Sequence, residues 1–194
     1  MNGRPKTFRE QDVLEKARRV FWAKGYASTS TEDLLEAMGI GRGSFYLAFK
    51  NGKRELFEKA MRQFHHESFN TLKQQLQDSD DPVERIREFF RGILKKGTDA
   101  HPLGCFIGNT LIEMASLDED LKAEAATLLK ELENLFYVTL QRLQKDGTLK
   151  TKTDAKLLAR HLITLWNGLN VTRRMYANNA VMKPLIEMQL EILR

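Results

Sequence analysis

The chain has 194 residues, 42% of them hydrophobic and 29% charged, with four Pro, one Cys and a formal net charge of +5. This is the balance of a folded helical protein: too apolar for a disordered chain, and without the run of about 20 apolar residues that a membrane span needs. A single cysteine excludes an internal disulfide framework and suits a reducing compartment, and the opening MNGRPKTFREQD lacks the apolar core of a secretory signal.

The charge is unevenly placed. Residues 1–54 carry eleven Lys and Arg against six Asp and Glu, whereas the remainder carries twenty of each. All of the net charge therefore lies on the N-terminal quarter, as a phosphate-binding surface requires. A solvated basic face is the plainer explanation of such an excess taken alone.

In chain order, Val13, Leu14, Ala17, Val20 and Phe21 recur at helical spacing, and Gly25 is a natural stop. Ser30 reads as the N-cap of a short helix with Glu32 and Asp33 in its first turn, where the helix dipole favours negative charge, and Leu34, Leu35 and Met38 as its apolar stripe. Met38-Gly39-Ile40-Gly41 breaks the pattern. A second short helix from about Arg42 carries Phe45, Tyr46 and Phe49. Two short helices around a Gly-containing turn form a helix-turn-helix, a DNA-binding element.

Lys53 opens a long helix to about Gln77. Asp81-Pro82 caps and starts the next, which stops near Gly97. After the break at His101-Pro102-Leu103-Gly104, a short apolar helix runs from Phe106 to Met114. A long one follows from Asp118 to Asp146, Asp154 caps another through Leu158 to Leu169, and Pro184 sits near the start of the last. No strand alternation or repeat is present, so the chain is all-α, with about nine helices. Residues 1–52 form a helix-turn-helix DNA-binding domain and 53–194 an effector-binding and dimerisation domain.

A recognition helix lies in the major groove with its first residues on base edges. That places Arg42, Gly43, Ser44, Leu47 and Lys50 on the DNA side, with Phe45 and Phe49 in the core. Arg42 suits the O6 and N7 of a guanine, Leu47 a thymine methyl, and Gly43 allows close backbone approach. Thr29, Ser30, Tyr46 and Lys53 are placed for phosphates, which set register rather than sequence choice. Arg4 and Lys6 form either a loose arm on the duplex or a frayed terminus.

These residues resemble the DNA-binding domain of the tetracycline-repressor family. The similarity lies in Phe21-Trp22-Ala23-Lys24-Gly25-Tyr26, Thr29-Ser30-Thr31, Leu34 and Ala37-Met38-Gly39-Ile40, then Gly43-Ser44-Phe45-Tyr46, Phe49, Lys53 and Leu56-Phe57. The chain departs at Gly41, where members often carry Ser, and at Leu47, where His is frequent. The resemblance implies a homodimer paired through its last two helices, an effector cavity in the C-terminal domain, and release from a palindromic double-stranded DNA operator when a small molecule binds.

Polar groups on apolar helices are the sequence's own pointer to that cavity, since pockets are mostly apolar with a few placed polar groups. Asn109 and Glu113, Asn167 and Asn170, and Cys105 supply them; Phe64, Phe89, Phe106, Tyr137 and Trp166 supply candidate aromatic lining. For each polar residue, a satisfied core or surface group is the plainer reading. Cys105, at a helix start, is either a low-pKa sensor thiol or a packed core residue. The adjacent pair His65-His66 points in different directions and makes no metal site, no nucleotide fingerprint or cofactor motif is present, and no nucleophile stands with its base. The expectation is therefore a cytoplasmic, effector-controlled regulator, not an enzyme. The competing classes are a helical small-molecule-binding protein or enzyme with a vestigial DNA motif, and an architectural or RNA-binding protein.

Overall fold

The computed structural model describes residues 8–94, 103–176 and 179–194. Among them are nine α-helices and no strand: α1 (Glu10–Lys24), α2 (Thr31–Met38), α3 (Arg42–Ala48), α4 (Gly52–Gln77), α5 (Pro82–Arg91), α6 (Phe106–Met114), α7 (Glu119–Lys145), α8 (Ala155–Thr172) and α9 (Asn179–Leu190). The proposed arm residues Arg4 and Lys6, the stop at Gly97, and His101-Pro102 lie outside the described residues.

Ser30, Asp81 and Asp154 cap helices where the sequence places them, and Asp118 caps a further one. Asp81 accepts from Glu84 N (2.9 Å), Asp118 from Leu121 N (3.0 Å) and Asp154 from Leu157 N (2.9 Å). Each pairs a backbone donor that the first turn leaves unsatisfied, about 1 kcal/mol apiece. Pro184 differs from its expected position. The last helix begins at Asn179, so Pro184 falls inside α9 and removes one intrahelical hydrogen bond there.

The chain divides into two compact units between Glu67 and Ser68, within α4. In the N-terminal unit α1, α2, α3 and the first turns of α4 bury Leu14, Ala17, Phe21, Leu34, Met38, Phe45, Phe49, Leu56, Phe57 and Met61. Phe21 meets Phe57 edge-on, with ring centroids 4.8 Å apart. Trp22 packs beside Phe64 at 5.4 Å, and the Arg18 guanidinium lies 5.1 Å over the same Phe64 ring.

The C-terminal unit is built on one core shared by α5, α7, α8 and α9, with Ile86, Phe90, Phe136, Leu140, Leu158, Leu162, Ile186 and Leu190 at its centre. Phe89 stacks on Trp166 at 4.4 Å beside Phe136. At the rim of α5 and α9, Arg91 makes a two-pronged pair with Glu187 (2.6 and 2.7 Å) and also bonds Glu84. That guanidinium holds the Glu187 carboxyl below its usual range.

Candidate nucleic-acid interface and effector cleft

The turn between α2 and α3 is set locally. Ser30 Oγ accepts from Asp33 N (3.1 Å) while Asp33 Oδ2 accepts from Ser30 N (3.0 Å), a reciprocal capping box. Lys24 donates to Asp33 Oδ1 at 2.7 Å, and this bond, followed by those from Ser30, pulls the Asp33 carboxyl down to about 2. Gly39 ends α2 at φ 69°, a left-handed conformation that a side chain would strain. α3 then presents an exposed face. Leu47 is 78% exposed and Tyr46 47%, Arg42, Gly43 and Lys50 are exposed, and Ser44 is half-buried, while Phe45 and Phe49 are fully buried.

Several of these residues have work inside the protein that the sequence does not announce. Arg42 pairs with Glu32 of α2, so its guanidinium is held at the start of α3 by a neighbouring carboxylate. Lys53 Nζ donates to the carbonyls of Tyr26 (3.0 Å) and Thr29 (2.9 Å) and lies 4.4 Å over the Tyr26 ring. Thr29 is 2% exposed and its hydroxyl donates to Gly25 O at 2.5 Å. Lys53 and Thr29 thus fasten the segment from Gly25 to Ser30 that positions α2, and the side chain of Thr29 is turned inward, away from solvent. Gly43 has no heavy atom within 4 Å of where a Cβ would stand, so nothing in the chain's own packing calls for glycine there.

In the C-terminal unit α6 and the second half of α8 enclose a cleft of about 580 Å³, within the size range of small-molecule sites. It is lined by Cys105, Asn109 and Ile112 from the α6 side and by Thr164, Asn167, Gly168, Asn170 and Val171 from α8. Four of the expected residues, Cys105, Asn109, Asn167 and Asn170, come together here. The others lie elsewhere: Phe64 packs on Trp22 in the N-terminal unit, Phe89 and Trp166 stack half-buried against the core, Phe106 is buried, Tyr137 Oη accepts from Gln141 Nε2 (2.7 Å), and Glu113 is off the cleft wall. Sequence reasoning missed Ile112, Thr164, Gly168 and Val171; the four-residue spacing of Thr164 and Gly168 is the signal that would have found them.

The polar end of the cleft is anchored. Asn109 Nδ2 donates to Leu103 O (2.8 Å), and Arg174 donates to Asn109 Oδ1 (2.8 Å) and to Leu103 O. Asn170 Nδ2 donates to Trp166 O (2.8 Å). Cys105 caps α6, its Sγ accepting from Gly108 N at 3.3 Å, and is 9% exposed. Asn167 Oδ1 is buried without a hydrogen-bond partner. Burial first, then the charge of Arg174, pushes the nearby Arg173 guanidinium below its ordinary value. No helix among the described residues is long and apolar enough to cross a membrane.

Two family models match the chain: "Bacterial regulatory proteins, tetR family" over residues 13–60 and "Tetracyclin repressor-like, C-terminal domain" over residues 82–188. Among curated relatives, the HTH-type transcriptional repressor DhaR of Mycobacterium sp. (strain GP1) is 25% identical over 94% of this chain and 91% of its own length. The HTH-type transcriptional regulator YezE of Bacillus subtilis (strain 168) is 33% identical over 82% of this chain and 83% of its own. Among solved structures, a cysteine-substituted form of the regulator CifR in complex with a 26-base-pair operator duplex superposes with a TM-score of 0.81 at 27% identity, covering 99% of this chain and all of that one.

Proposed function

The chain belongs to the tetracycline-repressor family of bacterial transcriptional regulators, and on that premise we propose how its parts divide the work. It is a ligand-responsive, DNA-binding transcriptional repressor that acts as a homodimer. Residues 1–52 bind the operator and residues 53–194 take the effector and the second subunit, in the cytoplasm at the nucleoid, by binding alone and without turnover.

The observation that carries the DNA side is the outward face of α3. Arg42, Gly43, Tyr46 and Leu47 are exposed. Arg42 reads a guanine edge, Leu47 a thymine methyl, and Gly43 admits the backbone close to the duplex. Ser30, Ser44, Tyr46, Lys50 and the third proton of Lys53 serve the phosphates, and Thr29 contributes through the turn it fastens. Glu32 holds Arg42 at the start of α3, and the polyanionic duplex competes for that guanidinium.

The effector enters the α6–α8 cleft. Effector and operator favour different separations of the two recognition helices, which a palindromic site requires roughly 34 Å apart, so each weakens the other's binding by the same factor. Selection of binding sites from random duplex DNA at near-physiological salt tests this. An enriched palindrome is expected; a folded dimer that enriches nothing overturns the reading.

A further inference from the structure

The sequence of α3 is RGSFYLA, so Arg42 is its single charged side chain and its single two-pronged hydrogen-bond donor. The helix has no Asn or Gln to pair with adenine, and its choice of bases rests mainly on what Arg42 contacts. A long arginine can equally take any phosphate, a contact that carries no sequence information. Arg42 stands between Gly41 and Gly43, which offer no side chain to pack on. Its ion-pair partner among the described residues is Glu32 of α2, ten residues back, and the two side chains are 62% and 67% exposed.

Glu32 is not spent on capping its own helix. Ser30 and Asp33 close the capping box of α2, and Asp33 also receives Lys24. A carboxylate beside the base-reading arginine repels every duplex alike, so its use lies in selectivity rather than in strength of binding.

We propose that Glu32 is a specificity-determining positioning residue, which keeps the Arg42 guanidinium available to a guanine edge and withholds it from phosphates. This rests on the reading of Arg42 as a base contact and adds to it the group that makes the contact selective. The ion pair joins Arg42 Nη2 to Glu32 Oε1. Nη1 and the second proton of Nη2 remain, and they are the two donors that guanine O6 and N7 accept. A guanine edge is thus satisfied with the pair intact. A phosphate contact instead replaces the carboxylate with another anionic oxygen, an exchange of like for like that gains little.

The experiment uses the full chain, the palindrome that site selection returns and a random-sequence duplex of equal length, with fluorescence anisotropy at several salt concentrations. Glu32→Ala is expected to lower discrimination about tenfold at the base pair that Arg42→Ala flattens, and to leave the other positions as they were. On the random duplex it is expected to tighten binding by about tenfold and to steepen the salt dependence by about 0.9 in the slope of log K against log salt, one further phosphate. In the Arg42→Ala background that gain should largely vanish, because the two residues act as a pair.

A gain as large without Arg42 as with it makes Glu32 a plain repeller of phosphates and overturns the proposal. Weaker binding to every duplex alike is what a first-turn acid that only stabilises α2 produces, and it overturns the proposal too. Glu32→Gln keeps the length of the side chain and removes only its charge; it is expected to tighten random-duplex binding as well, and no tightening overturns the proposal. If Arg42→Ala flattens no position, the base-contact reading fails and takes the proposal with it. An Arg42-dependent position that Glu32→Ala leaves intact overturns the proposal alone.

Discussion

The two units of this chain are held together by different kinds of interaction. In the N-terminal unit, short helices are tied by bonds between side chains and nearby backbone: the Ser30–Asp33 box, Thr29 on Gly25, and Lys53 on Tyr26 and Thr29. The C-terminal unit relies on long helices sharing one apolar core. The first arrangement fixes a small surface to within a hydrogen bond's tolerance, which reading base edges demands. The second rests on shared apolar contact, which is less directional.

The largest test of that contrast is to cut each core. Phe21→Ala and Phe90→Ala each remove a fully buried ring and are expected to cost about 3–5 kcal/mol by chemical denaturation. Phe21→Ala should abolish operator binding. A Phe21→Ala protein with wild-type stability would show that the N-terminal unit does not depend on its core. Next in size, Arg42→Ala should lose about 1–3 kcal/mol of discrimination at one base pair while leaving the fold intact, read as a flattened position in the selected site. An unchanged preference profile removes Arg42 from readout.

Ser30→Ala dismantles the capping box and should destabilise the protein by about 1 kcal/mol in denaturant melts. Gly43→Ala sharpens the comparison from the opposite direction. Glycine costs a helix up to about 1 kcal/mol relative to alanine, and space is open there, so the variant should be as stable as the parent or more so, yet bind operator more weakly. Equal operator affinity would leave the glycine without a DNA role.

The smallest effect is a pH dependence. The Asp33 carboxyl is lowered from 3.8 to about 2, by Lys24 first and then Ser30. Its contribution is therefore fully present above pH 3.8 and is lost as pH falls through about 2. Carbon-detected NMR of the Asp33 carboxyl should show its midpoint near 2, and in Lys24→Met that midpoint should move up toward 3.8.

Much of the fold is legible in the sequence because its signals are local. Asp81-Pro82, Asp118 and Asp154 cap helices within a few residues of themselves, and Gly25 and Gly39 end them. Pro184 misled because proline is commonest in a first helical turn, whereas here α9 is already under way at Asn179. The site is less legible for the same reason of range. The partners of Lys53 lie 24 and 27 residues back along the chain, and Arg42 is held by Glu32 across a turn. The cleft showed itself through amides on apolar helices. Its Ile112, Thr164, Gly168 and Val171 carry no such mark, and the aromatic residues that seemed suited to a lining, Phe89 and Trp166, stack on each other against the core.

The two tryptophans give this division an optical consequence. Trp22 lies beside Phe64 in the N-terminal unit and Trp166 on Phe89 in the C-terminal unit. Each unit thus contains its own emitter in its own environment. With Trp22→Phe or Trp166→Phe, the remaining fluorophore watches a single unit, so the order in which the two halves respond to heat, effector or operator can be read as a difference in colour and lifetime from the same molecule.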